Sequence, residues 1–181
     1  MTPAEREQLL AELDRGEQSL AAAVKDFREE DASVRPAPDR WSALECVEHL
    51  VLAEEYLFSR VLAGQSNGST MIGRDREGVM SAVALDRTRR IESPEMAKPQ
   101  GRFATLAEAL DGFCAARKTT RGFVESCNED LRAKFTTHPI VPNVNCWENL
   151  LMIAAHPRRH AEQIQETAEA LKKRRGTAAE P

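Results

Sequence analysis

The stretch WSALECVEHLVLAEEYLF, residues 41–58, combines a helix start, a long helical run and a histidine. Ser42 and Glu45 have the spacing of a capping box, in which both side chains accept hydrogen bonds from backbone N–H groups that a first turn leaves unpaired. The residues that follow are rich in Leu, Ala and Glu, which favour helix. The stretch therefore predicts a helix that begins directly after Ser42.

Three other segments have the same arrangement, namely TPAE at 2–5, TLAE at 105–108 and NCWE at 145–148. They predict four helices, over about 3–31, 43–63, 106–127 and 146–174, with glycines 64 and 176 near two of the ends. Strand-like sequence is confined to IVPNV at 140–144, where proline suits a loop. Four long helices pack naturally as a bundle. The predicted fold is all-α, with one domain over residues 1–181.

The lengths of the connections bear on the order of the helices. About ten residues join the first two helices, which makes them antiparallel neighbours, whereas about forty residues (65–104) separate the second from the third. Such a crossover can run the length of a bundle and let the third helix lie parallel to the second. The segment Glu77–Arg90 has apolar residues at loosely helical spacing and predicts an extra short helix. Long loops without structure of their own are often functional, so this connection is expected to cover a site.

Composition excludes several classes of partner. The net charge is −4 and charged residues make up 30%, so no strong positive field attracts nucleic acid or an anionic membrane. The one basic run, 172–175, closes the last predicted helix, where cations complement the helix dipole. The first ten residues have no apolar core of a signal peptide, and no apolar run is long enough to span a membrane. We therefore expect a cytoplasmic protein, and four cysteines that are free thiols in the core.

The stretch AAHPRRHAEQI, residues 154–164, places two histidines four positions apart. His156 and His160 share a helix face with apolar residues such as Ile153 and Ile164, so both imidazoles should point into the bundle. His49 lies at the edge of the apolar face of the second helix. If those helices are neighbours, three imidazoles meet, a set that suits catalytic zinc and also nickel or iron. Hydrogen-bonded core histidines in a metal-free interaction module are the alternative.

Other residues near this site have two interpretations each. His138 is interpreted as structural or gating, and Glu45 as a helix cap that could also orient His49. Arg159 is either a solvent-facing arginine or a contact for an anionic substrate. Pro157 costs about 3 kcal/mol inside a straight helix, so a bend there is expected to set the angle between the two histidines.

Several familiar sites are absent from the sequence. There is no H-E-x-x-H of a metalloprotease and no Glu-x-x-His of a di-iron bundle. Nor does the sequence contain a phosphate-binding loop, a dinucleotide fingerprint or a G-x-S-x-G elbow. The three histidines are therefore the main candidate site.

The chain resembles the DinB-like superfamily of metal-binding four-helix bundles. The resemblance rests on Arg40-Trp41-Ser42, His49, His138-Pro139 and, most specifically, His156-x-x-Arg159-His160-x-x-Gln163-Ile164. The segment 94–113 adds to it, while Pro157 and Val141-Pro142 depart from the family pattern. The resemblance implies an up-down-down-up bundle, often a homodimer, with zinc or nickel held at His49, His156 and His160.

The same resemblance implies an activity. Characterised members include thiol-dependent transferases and isomerases that use bacillithiol, mycothiol or glutathione, and others are regarded as metal-dependent hydrolases. We therefore expect a thiol S-transferase or a hydrolase that acts on a small molecule. The expected partners are a small-molecule substrate and, for the transferase, a low-molecular-weight thiol. A non-catalytic metal-binding or stress-response bundle is the alternative.

Overall fold

The computed structural model describes residues 1–25, 27–66, 82, 84–88, 92–138 and 144–178. Its helices are α1 (Pro3–Val24), α2 (Ala43–Leu62), α3 (Leu106–Ser126) and α4 (Cys146–Ala178). Single 3-10 turns lie at Glu29–Asp31 and Glu95–Ala97. The two-residue strands β1 (Phe135–Thr136) and β2 (Val144–Asn145) pair antiparallel. The prediction of an all-α fold with four helices is confirmed.

Side-chain caps start all four helices, as the sequence predicts. The reciprocal hydrogen bonds of a capping box form in the pairs Thr2–Glu5, Ser42–Glu45 and Asn145–Glu148. At the third helix Thr105 accepts from the Glu108 N–H, but the Glu108 carboxylate accepts from Ala104 instead of from Thr105. Local hydrogen bonds thus set where each of these helices begins, and each begins at the residue that the sequence predicts.

Two predicted helix ends are wrong. The first helix stops at Val24 instead of residue 31, and the Phe27 N–H then donates to the Val24 carbonyl. This early end lets the Phe27 side chain pack against the core. The last helix continues through Gly176 to Ala178. A glycine costs only about 1 kcal/mol in a helix, which permits this continuation.

Contacts between helix ends establish the up-down-down-up order. Arg6, at the start of α1, donates to the Val124 and Cys127 carbonyls at the end of α3. At the same end of the bundle, the Cys146 thiol at the start of α4 donates to the Val61 carbonyl near the end of α2. α1 and α4 therefore begin where α2 and α3 end, as the long second connection predicts.

Most of the core formed by the described residues lies in two groups of buried side chains between the helices. One contains Leu9, Leu13, Phe58, Trp147 and Leu150, and the other Leu20, Val47, Leu50, Phe113 and Ile164. All four cysteines are free thiols, but Cys114 is exposed on α3 and the core prediction is wrong for it. The other three are buried, and burial raises the pKa of Cys46 to about 12.

Two predictions fall largely on residues that the structure does not describe. Of the extra helix predicted over 77–90, only 82 and 84–88 are described, and positions 82, 84 and 85 are helical. Of the loop predicted at 140–144, including Val141-Pro142, only Val144 is described, and it lies in β2. Within the described chain, no helix is long and apolar enough to cross a membrane.

A buried ion pair lies beside the proline of α4. Because Pro157 has no N–H, the Ile153 carbonyl loses its helical donor. Arg117 Nη2 donates to this oxygen at 3.4 Å and to Glu54 Oε2 at 2.9 Å. Thr120 donates to the other Glu54 oxygen at 2.8 Å. α4 continues as helix through the proline, and the predicted bend stays a prediction.

Glycine at position 16 of α1 permits close packing against the same turn of α4. A Cβ atom there would overlap the carbonyl oxygen of Ala154, and the Pro157 ring lies just beyond it. The close approach of the two helices brings the Leu13 carbonyl within 3.5 Å of Arg117 Nη1. The proline turn, the neighbouring helices and the ion pair thus form one packed unit directly beside His156.

Candidate metal centre

Three histidine rings converge between α2 and α4. The His156 Nε2 atom lies 3.0 Å from Nε2 of His160 and 3.4 Å from Nε2 of His49. One ligand atom from each residue fits within a span of 4.8 Å. His49 and His160 are 6% and 3% exposed, and His156 is partly buried. The predicted meeting of these three side chains is therefore present in the fold.

A backbone carbonyl fixes the orientation of the His49 ring. Nδ1 of His49 lies 2.6 Å from the Ala97 oxygen. Since a carbonyl can only accept, Nδ1 carries the proton and Nε2 presents a lone pair toward the other two rings. Glu45 caps α2 and pairs with Arg35, so the capping interpretation of Glu45 is confirmed. The group that orients His49 is Ala97, which sequence reasoning missed.

The loop that supplies Ala97 is held by the residue next to His49. The carboxylate of Glu48, 1% exposed, accepts hydrogen bonds from the backbone N–H groups of three consecutive loop residues. These donors are Gln100 at 2.6 Å, Gly101 at 3.2 Å and Arg102 at 3.0 Å. Gly101 has a φ of 77°, a conformation that glycine adopts without strain. Adjacent residues of α2 therefore position the 97–102 loop and use it to orient a histidine.

Burial keeps the three imidazoles neutral. Desolvation lowers the pKa of His49 to about 4, although the hydrogen bond to Ala97 opposes the change. Burial and the neighbouring histidines lower the pKa values of His156 and His160 well below the ordinary value. The neutral imidazole is the form that binds metal ions. At pH 7 the cluster is therefore in the protonation state that metal binding requires.

The spacing of the nitrogens suits a divalent cation. Ligands about 2.1 Å from zinc lie about 3.0 Å apart at right angles and about 3.4 Å apart at tetrahedral angles. The two Nε2–Nε2 distances of 3.0 and 3.4 Å match these separations. The ligand atoms of the third pair, His49 and His160, lie no more than 4.8 Å apart. The residues present therefore fit a three-histidine metal site.

A cavity of about 140 Å³ lies next to the cluster and has room for several water molecules. Its wall is largely apolar and includes Trp41, Tyr56 and Met152. The Trp41 ring centre lies 4.8 Å from that of His49 and 6.2 Å from that of His160. His138 also lines the cavity, where burial lowers its pKa to about 4. A small molecule could therefore approach the cluster from this side.

Acid is expected to destabilise the metal-free protein between about pH 6.5 and pH 4. The pKa of His49 is about 4 in the fold and 6.5 in its ordinary state, so the unfolded chain binds more protons in this range. Stability is thus full above pH 6.5 and declines toward pH 4, by up to about 1.4 kcal/mol per pH unit for each such histidine. Urea unfolding at pH 7 and pH 5 measures the change.

His49→Gln provides the control for this pH effect. The glutamine amide can still donate to the Ala97 carbonyl but does not titrate, so the variant should lose stability less steeply on acidification. Equal slopes for the two proteins would contradict the assignment of His49 as a buried neutral group.

Comparisons with known proteins identify a family and a protein of similar fold. The profile of the DinB superfamily matches residues 12–164, a range that includes all three histidines. No curated protein matches the chain. A solved structure, YfiT from Bacillus subtilis, is similar with a TM-score of 0.60 and 11% sequence identity, over 95% of this chain and 90% of that one.

YfiT is described as a probable metal-dependent hydrolase with an unusual four-helix bundle topology. At 11% identity the likeness concerns the fold alone. The family match, in contrast, spans most of the sequence, as the resemblance in its motifs predicts. The chain belongs to the DinB superfamily.

Proposed function

We propose that the protein is a metal-dependent enzyme that acts on a small molecule, as a hydrolase or as a thiol S-transferase. His49, His156 and His160 hold one divalent ion in this proposal. The observation that carries it is the convergence of three neutral imidazole nitrogens beside a cavity. Three histidines with space next to them are typical of catalytic sites, since a structural site closes its coordination with a fourth protein ligand.

The bound ion would lower the pKa of a water molecule or an incoming thiol and so supply a nucleophile at neutral pH. The residues of the chain do the rest. Ala97 holds the Nδ1 proton of His49, which keeps Nε2 available. Trp41, Tyr56 and Met152 provide a largely apolar wall, which limits the water that could compete with a substrate. His138 faces the same cavity as a neutral imidazole, and its gating or structural role stays a prediction.

The identity of the metal, the reaction, and the assembly and location of the protein also belong to the proposal. The donor set of three imidazoles favours zinc or nickel, and also accommodates iron. The description of YfiT as a probable metal-dependent hydrolase supports hydrolysis, and the motif resemblance supports thiol transfer. A homodimer in the cytoplasm completes the proposal, in line with four cysteines that remain free thiols.

Metal analysis of protein purified without a histidine tag tests the proposal. We expect one equivalent of zinc, nickel or iron per chain, removed by a chelator and restored by adding the ion. The loaded and metal-free proteins are then compared on a panel of esters, amides and thiol–electrophile pairs, with turnover expected only in the loaded form. Protein that binds no metal would contradict the proposal. Stoichiometric metal without any turnover would favour the non-catalytic metal-binding alternative.

A further inference from the structure

Arg159 lies where two cavities meet. One is the cavity beside the three histidines, and the other is a larger space of about 840 Å³. Arg159 lines both, together with Trp41, Ser93 and Gln163. The larger cavity has exposed side chains such as Arg35 and Arg40 in its wall, so it opens to solvent. A molecule that enters through this larger cavity would pass Arg159 on its way to the histidines.

The other cations of the larger cavity are already paired with carboxylates. The pairs are Arg35–Glu45, Arg40–Glu166, Arg87–Glu162, Arg87–Glu166, Lys98–Glu92 and Lys98–Glu95. Arg159 differs from them, because no carboxylate of the described residues lies within ion-pair distance of its guanidinium. Its Nη1 atom donates to the backbone carbonyl of Asp86. Among the described cations of this wall, Arg159 is therefore the one without a carboxylate in ion-pair contact, and Asp86 and Glu162 act on its charge only from a longer distance.

Partial burial makes this charge costly when it has no counter-ion. Arg159 is half-buried, and desolvation together with the nearby charge of Arg87 lowers its pKa, against the opposing effect of Asp86 and Glu162. A charge in such a place is stabilised by an opposite charge that also accepts its hydrogen bonds. The bond to Asp86 uses Nη1 alone, which leaves Nε and Nη2 without partners among the described residues. Two parallel donors of this kind match the two oxygens of a carboxylate.

We propose that Arg159 binds the carboxylate of a small-molecule substrate at the junction of the two cavities. The inference rests on the proposed function and names its substrate class, a molecule with a carboxylate on one side and the reacting bond on the other. Arg159 precedes His160 directly on α4, so an anion held there lies next to the cluster. The Trp41 ring, which lines both cavities, provides a flat apolar surface for the body of the molecule.

Benzoate and benzamide test the inference, because they have nearly the same shape and differ in charge. Binding is followed by calorimetry and by the NMR signal of the Trp41 indole, with protein as purified and after removal of metal by a chelator. We expect benzoate to bind at least about tenfold more tightly than benzamide, the effect of one charge-assisted contact. Arg159→Gln should remove this preference in both forms of the protein.

Arg40→Gln is the matched control. It removes one positive charge from the same cavity, but the lost arginine is paired with Glu166, so the preference for benzoate should persist. Circular dichroism confirms that both variants fold. Equal binding of the two probes, no binding of benzoate, or a preference that survives in Arg159→Gln would each overturn the inference. The binding measurement does not depend on metal content. A carboxylate site in protein that binds no metal would support the role of Arg159 in binding a carboxylate and would contradict the proposed function, so the two failures are distinguishable.

Discussion

Replacing His160 with alanine is expected to abolish tight metal binding. The variant loses one of three nitrogens that converge within 4.8 Å, and two imidazoles on their own hold an ion weakly. The loss of affinity should exceed the roughly 10–100-fold that follows from removing an outer partner of a metal ligand. Metal content after dialysis and a competition assay with a coloured chelator measure it. The thermal stabilisation that added zinc gives the wild-type protein should disappear as well.

His138→Ala is the control for this variant. His138 lines the same cavity, but the cluster within coordination reach consists of the other three histidines. The control should therefore retain one equivalent of metal. If His160→Ala is folded and binds metal like the wild-type protein, the site lies elsewhere and the three histidines are only core residues.

Replacing Arg117 with methionine is expected to destabilise the protein by about 3–5 kcal/mol, the usual cost of leaving one partner of a buried ion pair uncompensated. Glu54 is 4% exposed, and burial already raises the pKa of its carboxyl against the opposing effect of Arg117. Without Arg117 the carboxyl has only Thr120 as a partner among the contacts described. Urea unfolding at pH 7 measures the loss.

Two double variants separate the ion pair from simple packing. Glu54→Leu combined with Arg117→Met removes both charges and should recover most of the lost stability.

Pro157→Ala restores an N–H that can donate to the Ile153 carbonyl, the oxygen that Arg117 now reaches at 3.4 Å. The cost of Arg117→Met should then be smaller by about 1 kcal/mol. Strict additivity of the Arg117 and Pro157 changes would show that the arginine does not serve this carbonyl.

The parts of the fold that were predictable depend on chemistry within a few residues. A cap at Ser42 and one at Asn145 are decided by a side chain and the backbone three residues later, so sequence reveals them. The shared face of His156 and His160 follows in the same way from the helical repeat. The end of α1 was not predictable, because it depends on where Phe27 packs against the other helices.

The surroundings of the site were hidden for the same reason. Glu48, Glu54 and Arg117 look like ordinary solvent-facing charges in helices rich in such residues, and only their distant partners make their burial favourable. Ala97 lies 48 positions from His49 and contributes a backbone atom, so its identity in the sequence carries no information about this role. His49 itself could be named as a candidate, but its inward orientation depends on that contact.

The arrangement of Glu48 and His49 around the 97–102 loop has an evolutionary consequence. The two side chains bind backbone atoms rather than side chains, so most amino-acid replacements in this loop should be tolerated. Its length should not be. One residue inserted or deleted between Ala97 and Gln100 would move either the carbonyl or the N–H groups out of reach. Homologues that retain this mode of orienting the histidine should therefore vary in composition here but show no gaps.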